Sequence, residues 1–196
     1  MHDLFWEPLT TMTSPKKYRA PTWSWASLDG RIKWLPWTDL LYCTRCIMYC
    51  TVLDAQTVPA GLDRYGAVKD GFLKIRGVIK EMKVRWSGEK NMGKNLRYAW
   101  RLNHEGKAIG ESNLDMEGNR VQIHGREKIY QALLVARCNG KTRTRGLLLE
   151  KNGRKREDHD EFERVGTFVL FSDVTIGEHW SEGIWNRDAE QVIMIV

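Results

Sequence analysis

The chain has 196 residues, of which 31 are lysine or arginine and 25 are aspartate or glutamate, so its formal net charge is +6. Its hydrophobic fraction of 42% is enough to bury a core and too high for a disordered tail. No run of about 18 apolar residues occurs, and the N-terminal region holds charges and prolines where a secretory signal would be apolar. We therefore exclude a membrane-spanning helix and expect a globular, cytoplasmic protein.

The predicted elements, in chain order, are mainly strands. Residues 1–17 are expected to be an irregular N-terminal lead-in. Alternating or continuous apolar residues then predict strands at 46–53, 72–86, 96–102, 121–124, 129–138, 144–150, 162–171 and 191–196. Asn139 and Gly140 join two of these strands with a pair of residues typical of a tight hairpin. The stretches 10–17, 59–65, 87–95 and 153–161 read as loops, and only 178–190 reads as a short helix.

One strand changes its phase at Gly77. Leu73 and Ile75 occupy odd positions, whereas Val78, Met82 and Val84 occupy even ones. Because a pleated strand has a period of two, this flip predicts a bulge or corner that carries the strand between two packed sheets. We predict a single β-rich domain over 1–196, mainly β, folded as an antiparallel sandwich or partly closed barrel with little helix.

The cysteines permit two interpretations. Cys43 and Cys46 form a C-x-x-C, but zinc needs four ligands, so Cys50 and Cys138 or a distant histidine would have to complete a site. Alternatively, these residues are free thiols along an apolar strand, since cysteine is among the most buried residue types. We expect no cofactor, and the metal question stays open.

Motifs for catalysis are missing or incomplete. The segment GEKNMGKN at 88–95 resembles a phosphate-binding loop, but it ends in Asn95 where a hydroxyl must bind magnesium, and a strand follows it where the motif needs a helix. No serine lies in a G-x-S-x-G elbow, and the five histidines have no metal-binding spacing. We expect the chain not to be an enzyme.

Basic residues form the most prominent charged feature. Lys141, Arg143 and Arg145 alternate along a predicted strand and would share one sheet face. The cluster Arg154, Lys155 and Arg156 follows, next to an acidic run that we interpret as a mixed-charge surface loop. These residues could bind nucleic acid or an acidic partner, or they could form the solvated outer face that a sheet needs.

The segment YRAPTWSWASLDG at 18–30 is the most distinctive motif. Trp23 and Trp25 would share one face of an extended strand, which Pro21 begins and the turn at Asp29 and Gly30 ends. Such a pair can form a ligand platform, but burial in the core is the more usual fate of large aromatic side chains. The residues that define the motif are Arg19, Pro21, Trp23, Ser24, Trp25, Asp29 and Gly30.

This motif resembles the Y-R-A-P-S-W-S-W-A-S-x-D-G segment found after the heterokaryon-incompatibility (HET) domain in filamentous-fungal proteins. Three further stretches are similar to that region: LFW at 4–6, the family's G-x-V-x-x-G-x-L-x-L-x-G strand at 65–77, and an L-L-L followed by R-V-G at 147–149 and 162–168. Thr22, Leu28 and Arg31 depart from the commonest residues while leaving the aromatic pattern intact.

The HET signalling motifs themselves, Y-x-x-L-S-H-x-W-G and W-I-D-x-x-C-I-x-Q, do not occur in the chain. The resemblance thus implies a non-catalytic C-terminal accessory or recognition module of a protein of nonself recognition and programmed cell death. Its partner would be a HET domain or another protein. The alternative is a freestanding basic β-barrel that binds nucleic acid or another polyanion; a membrane partner is not expected.

Overall fold

The structure is a computed structural model that describes residues 4–10, 12–34, 46–63, 67–92, 95–105, 107–116, 127–138, 143–170 and 189–196. Within these ranges the chain is mainly β, with one short 3₁₀ helix at Trp25–Ser27, so the predicted fold class is confirmed. The strands are β1 Trp6–Pro8, β2 Ile32–Trp34, β3 Cys46–Met48, β4 Cys50–Pro59, β5 Val68–Met92, β6 Asn95–His104, β7 Lys107–Leu114, β8 Glu127–Cys138, β9 Arg143–Arg156, β10 His159–Leu170 and β11 Glu190–Ile195.

Two sheets contain these strands. A small one pairs β1 with β2, and a nine-stranded one follows the order β11-β5-β6-β7-β10-β9-β8-β3, with β4 added alongside β5. Further pairings of β11 with β10 and of β5 with β8 close part of the large sheet into a hydrogen-bonded ring. The pairs are antiparallel except β10 with β11, which is parallel.

Two apolar clusters lie on opposite faces of the large sheet. In β8, Ala132 and Leu134 belong to one cluster, while Leu133 and Val135 belong to the other. Successive side chains of a strand point to opposite faces, so β8 is buried on both sides. This double burial explains why its sequence reads as a continuous apolar run.

The same arrangement explains the phase change at Gly77. Leu73 and Ile75 pack in one cluster, and Val78, Met82 and Val84 pack in the other. Of the two predicted alternatives, a bulge or a corner, the bulge is absent from the register of β5 with β11, which runs unbroken through Gly77. Instead, β5 changes partner there from β4 to β8 and buries its other face. Gly77 is also where a Cβ would approach Cys50 Cβ and Leu133 Cδ1 to 2.9 Å.

Most predicted strands correspond to observed ones, but their bounds differ. Strands cover most of the loops expected at 87–95 and 153–161, because β5, β6, β9 and β10 form long hairpins there. The strand expected at 46–53 is interrupted at Tyr49, whose N–H donates to Val135 O at 2.9 Å. The pairing of β8 with β9 confirms the hairpin, although its turn at 139–140 lies outside the described residues. The strand expected at 121–124 and most of the helix expected at 178–190 also lie outside them.

The N-terminal lead-in is more ordered than expected. Trp6–Pro8 pairs with Ile32–Trp34 as a two-stranded ribbon, and Thr13 bridges to Asp29. Leu4, Phe5 and Trp6 are each buried. Among the described residues no helix has the length and apolar character needed to cross a membrane.

Candidate recognition cleft

The tryptophan motif folds as a capped turn. The Ser24 side chain accepts from Ala26 N at 3.3 Å and begins the 3₁₀ helix Trp25–Ser27, and Ser27 Oγ donates to Ser24 O at 2.7 Å. The predicted strand was therefore wrong: serine hydroxyls compete for the backbone and favour a turn over a sheet. Trp23 packs partly buried against one core cluster, whereas Trp25 remains 51% exposed.

Arg19 holds this turn in place. Its guanidinium donates to Ala26 O at 2.6 Å, to Leu28 O at 2.8 Å and to Asp29 Oδ1 at 2.9 Å. The rigid fork of arginine donors suits such a set of oxygens, whereas a lysine ammonium could not span it. The ion pair of Arg19 with Asp29 thus joins the two ends of the motif.

Arg164 is the most deeply buried cation among the described residues. Its Nε lies 2.9 Å from Asp115 Oδ2, and its guanidinium also donates to Leu4 O and Trp6 O at 2.7 Å. The guanidinium carbon lies 3.6 Å from the centre of the Trp6 ring. Burial lowers the pKa of Arg164, and the charge of Asp115 opposes that shift. Asp115 therefore supplies the counter-charge for the buried guanidinium of Arg164.

Thr22 connects the motif to the sheet beside Arg164. Arg164 N donates to Thr22 Oγ1 at 2.9 Å, and the Thr22 hydroxyl in turn donates to the main-chain oxygen of Val196. Pro21 is buried against β5, where a Cβ on Gly71 would lie 2.7 Å from Pro21 Cγ. Segments far apart in sequence thus meet around one arginine.

A cleft of about 530 Å³ opens beside this junction. One wall is the segment from Ser14 to Leu28 that contains the motif, and the other is the hairpin of β9 and β10. Lys69 and Asp70, at the start of β5, also contribute, with Asp115 and Met116 after β7. The charged lining residues are Lys17, Arg19, Lys69, Asp70, Asp115, Glu150, Arg154, Arg156, Glu161, Glu163 and Arg164.

The inner cations of the cleft are neutralised by carboxylates. Arg156 lies 2.8 Å from Glu161 Oε1 and 3.1 Å from Asp70 Oδ2, and its guanidinium stacks over the Phe72 ring at 5.2 Å. The hydrogen bond that Arg156 donates to Glu161 is the main reason why the pKa of Arg156 is raised. Together with the pair of Arg164 and Asp115, these contacts form a fixed floor in which three carboxylates surround two cations.

The cations at the rim of the cleft differ from those of the floor in having no paired carboxylate among the described residues. Lys17, Lys69 and Arg154 are exposed and make no ion pair within the described part of the chain. Glu163 is the exposed carboxylate without a partner there. Glu150, by contrast, is paired with Lys128 at 2.9 Å. The rim therefore carries excess positive charge.

The predicted basic residues whose side chains the structure describes do not form one exposed patch. Arg145 is only 8% exposed, which contradicts its place on a solvated sheet face. Arg156 is paired, while Arg154 and Lys155 are exposed. Lys141 lies outside the described residues, and Arg143 is described only by its backbone, opposite Cys138 in the register.

Sequence reasoning missed Lys17, Lys69, Asp115 and Arg164 as residues of the cleft. They come from separate segments, and nothing in their local sequence points to a shared site. Arg164 had one signal, since it lies in the R-V-G of the resemblance.

The structure brings two of the four cysteines opposite each other, through the backbone pairing of β3 with β8. Cys43 lies outside the described residues, while Cys46 faces Cys138 in the backbone register of β3 and β8. Cys50 is buried, and burial raises its pKa to about 12. Among the described residues, no group of three or more histidine, cysteine or acidic side chains has a geometry suited to a metal ion.

Comparisons with protein-family models, with curated proteins and with solved structures return no match to this chain.

Proposed function

We propose that the chain is a non-catalytic recognition module that acts with a HET-type signalling domain in the fungal cytoplasm, in nonself recognition and programmed cell death. In this role the module binds a protein partner or the signalling domain itself. The proposal begins from the sequence resemblance, above all the motif at 18–30.

One structural observation supports it. The segments that carry the resemblance lie together: Leu4 and Trp6 accept hydrogen bonds from Arg164, Thr22 accepts one from its backbone, and Pro21 packs on Gly71. Residues that recur as separate motifs are expected to meet if they define one fold. Because these groups hold the fold together, we assign recognition to the cleft beside them.

The alternative, a freestanding module that binds nucleic acid, has less support from the geometry. Arg145 is buried, and Arg156 is paired with two carboxylates. The cleft walls also carry Asp70, Glu150 and Glu163, which would repel a phosphate backbone.

The test is a cell-death assay in hyphae. Three proteins are expressed: the chain alone, the chain joined to a HET domain of the family, and the Trp25→Ala variant of the chain joined to the same domain. The exposed Trp25 side chain can be removed without opening the core. We expect the chain alone to leave cells viable and the fusion to change the fraction of dying cells relative to the HET domain alone.

Death caused by the chain alone would overturn the proposal, as would a HET domain whose activity is indifferent to the chain. A titration with a single-stranded oligonucleotide across salt concentration addresses the alternative, because phosphate contacts produce a steep negative dependence of affinity on salt.

A further inference from the structure

We propose that the cleft between the tryptophan motif and the β9–β10 hairpin binds a short acidic peptide segment of a protein partner. This inference rests on the proposed recognition function and specifies the chemistry of the partner. The binding residues are the three rim cations, Lys17, Lys69 and Arg154.

The first reason is the imbalance of charge within one cavity. Every cation of the floor, Arg156 and Arg164, has a carboxylate within 3 Å or so, as the distances to Glu161 and Asp115 show. The three rim cations have none among the described residues. Glu163 and the one carboxylate that the floor holds in excess offset part of their charge, so the lining keeps a small positive charge. Solvent-exposed charges of one sign around a concavity attract and orient a ligand of the opposite sign.

The second reason is that the floor is prepared before binding. Asp70 and Glu161 fix Arg156, and Asp115 fixes Arg164, so neither side chain has to be ordered by the ligand. A preorganised site loses less conformational entropy on association. Among the cations named here, only those of the rim would then lose conformational freedom when the ligand binds.

The third reason distinguishes a peptide from a nucleic acid. A strand of nucleic acid presents a phosphate at every step, and the carboxylates of Asp70, Glu150 and Glu163 would oppose some of these. A peptide can place its acidic side chains at the rim cations and leave neutral groups elsewhere. Tyr18, which is 54% exposed at the cleft, offers an aromatic contact of the kind enriched in protein interfaces.

The size of the cavity agrees with this class of ligand. About 530 Å³ falls within the range of roughly 300–1,000 Å³ that small-ligand and peptide sites occupy. Such a volume holds a few side chains and not a folded domain.

The experiment uses the full chain and a labelled peptide of alternating glutamate and glycine, with binding followed by fluorescence anisotropy at low salt. The test variant carries Lys17→Glu, Lys69→Glu and Arg154→Glu. The control variant carries Lys16→Glu, Arg76→Glu and Lys155→Glu, which are exposed cations outside the cleft, two of them adjacent in sequence to rim residues. Both variants have the same net charge, so a general charge effect acts equally on them.

We expect the rim variant to bind the peptide at least about tenfold more weakly than the control, since three exposed charge contacts are lost. The thermal transition of both variants verifies their folding. Equal weakening by the two variants would overturn the inference, and so would no binding by the wild-type chain. Tighter binding of an oligonucleotide or of free succinate than of the peptide would also overturn it. Because no HET domain is present, a negative result here leaves the cell-death test of the proposed function unaffected.

Discussion

Arg164 and Asp115 form a bidentate ion pair in which neither side chain reaches solvent: Nε lies 2.9 Å from Oδ2, a second guanidinium nitrogen lies 3.2 Å from Oδ1, and the side chains are 0% and 3% exposed. The pair connects the middle of β10 to the end of β7, and the same guanidinium holds the carbonyls of Leu4 and Trp6. This buried charge thus adds to the attachment of the N-terminal segment to the sheet, beside the packing of Leu4 and Phe5 in the core and the hydrogen bond from Thr167 to Glu7. The stability of the cleft depends on how that charge is compensated.

Removing Asp115 should destabilise the chain strongly. Asp115→Ala leaves the Arg164 guanidinium buried without its counter-charge, and breaking such a pair costs about 3–5 kcal/mol. Urea unfolding followed by tryptophan fluorescence measures the change. The control is Asp29→Ala, which breaks the exposed pair with Arg19 and should cost no more than about 1 kcal/mol. Similar costs for the two variants would contradict the assigned role of burial.

The Thr22 hydroxyl should matter more than its methyl group. Thr22→Val keeps the shape but leaves the buried Arg164 N–H without its acceptor, at a cost of about 2 kcal/mol, while the Val196 oxygen keeps the N–H of residue 22 as a donor. Thr22→Ser keeps the hydroxyl and should stay within about 1 kcal/mol of the parent chain. The free energies of unfolding of the two variants, measured under the same conditions, show whether the hydroxyl or the methyl group of Thr22 contributes more to stability. A serine variant as unstable as the valine variant would show that the methyl packing is what counts.

Gly146 in β9 should tolerate no side chain. A Cβ there would lie 2.2 Å from Leu133 O and 2.3 Å from the Phe168 ring, and the backbone carbonyl belongs to the adjacent strand and cannot move away. Gly146→Ala should destabilise the chain by about 3 kcal/mol or more. Gly61→Ala is the matched control, because nothing lies within 4 Å of its Cβ position. Denaturation midpoints that coincide for these two variants would refute the close approach of β9 to β8.

The thiol of Cys50 should be inert in the folded chain. Burial raises its pKa to about 12 from an ordinary value of 9.0, so almost no thiolate forms near neutral pH. Alkylation by iodoacetamide at mildly alkaline pH, mapped by peptide mass spectrometry, should leave Cys50 unmodified in buffer and modify it fully in urea. Rapid modification of the native chain would contradict the burial of this residue.

The same shift gives a direction for stability against pH. Since the folded pKa lies above the unfolded one, the protonated thiol stabilises the native state fully below pH 9 and loses that contribution as the pH rises toward 12. Cys50→Ala or Cys50→Ser variants should therefore show a weaker loss of stability over this alkaline interval than the parent chain.

The sequence alone determined the β character and the positions of most strands. Alternating residues in β5 and the continuous apolar run of β8 are local patterns, and local patterns encode which faces are buried. Asn139 and Gly140 likewise predicted that β8 and β9 pair as neighbours, as their register confirms. For the motif at 18–30, however, strand propensity gave the wrong answer, because the hydroxyls of Ser24 and Ser27 and the fork of Arg19 stabilise a turn.

Only the tertiary structure decided which side chains share the cleft. Arg164 meets Asp115 across 49 positions and Leu4 across 160, and no local period relates residues at such separations. It also decided that Arg145 is buried and that Lys17, Lys69 and Arg154, at one rim, have no ion pair with the part of the chain that the structure describes. The net charge of +6 is fixed by the sequence, but whether a charge is neutralised inside or available for a ligand depends on which strands the fold brings together.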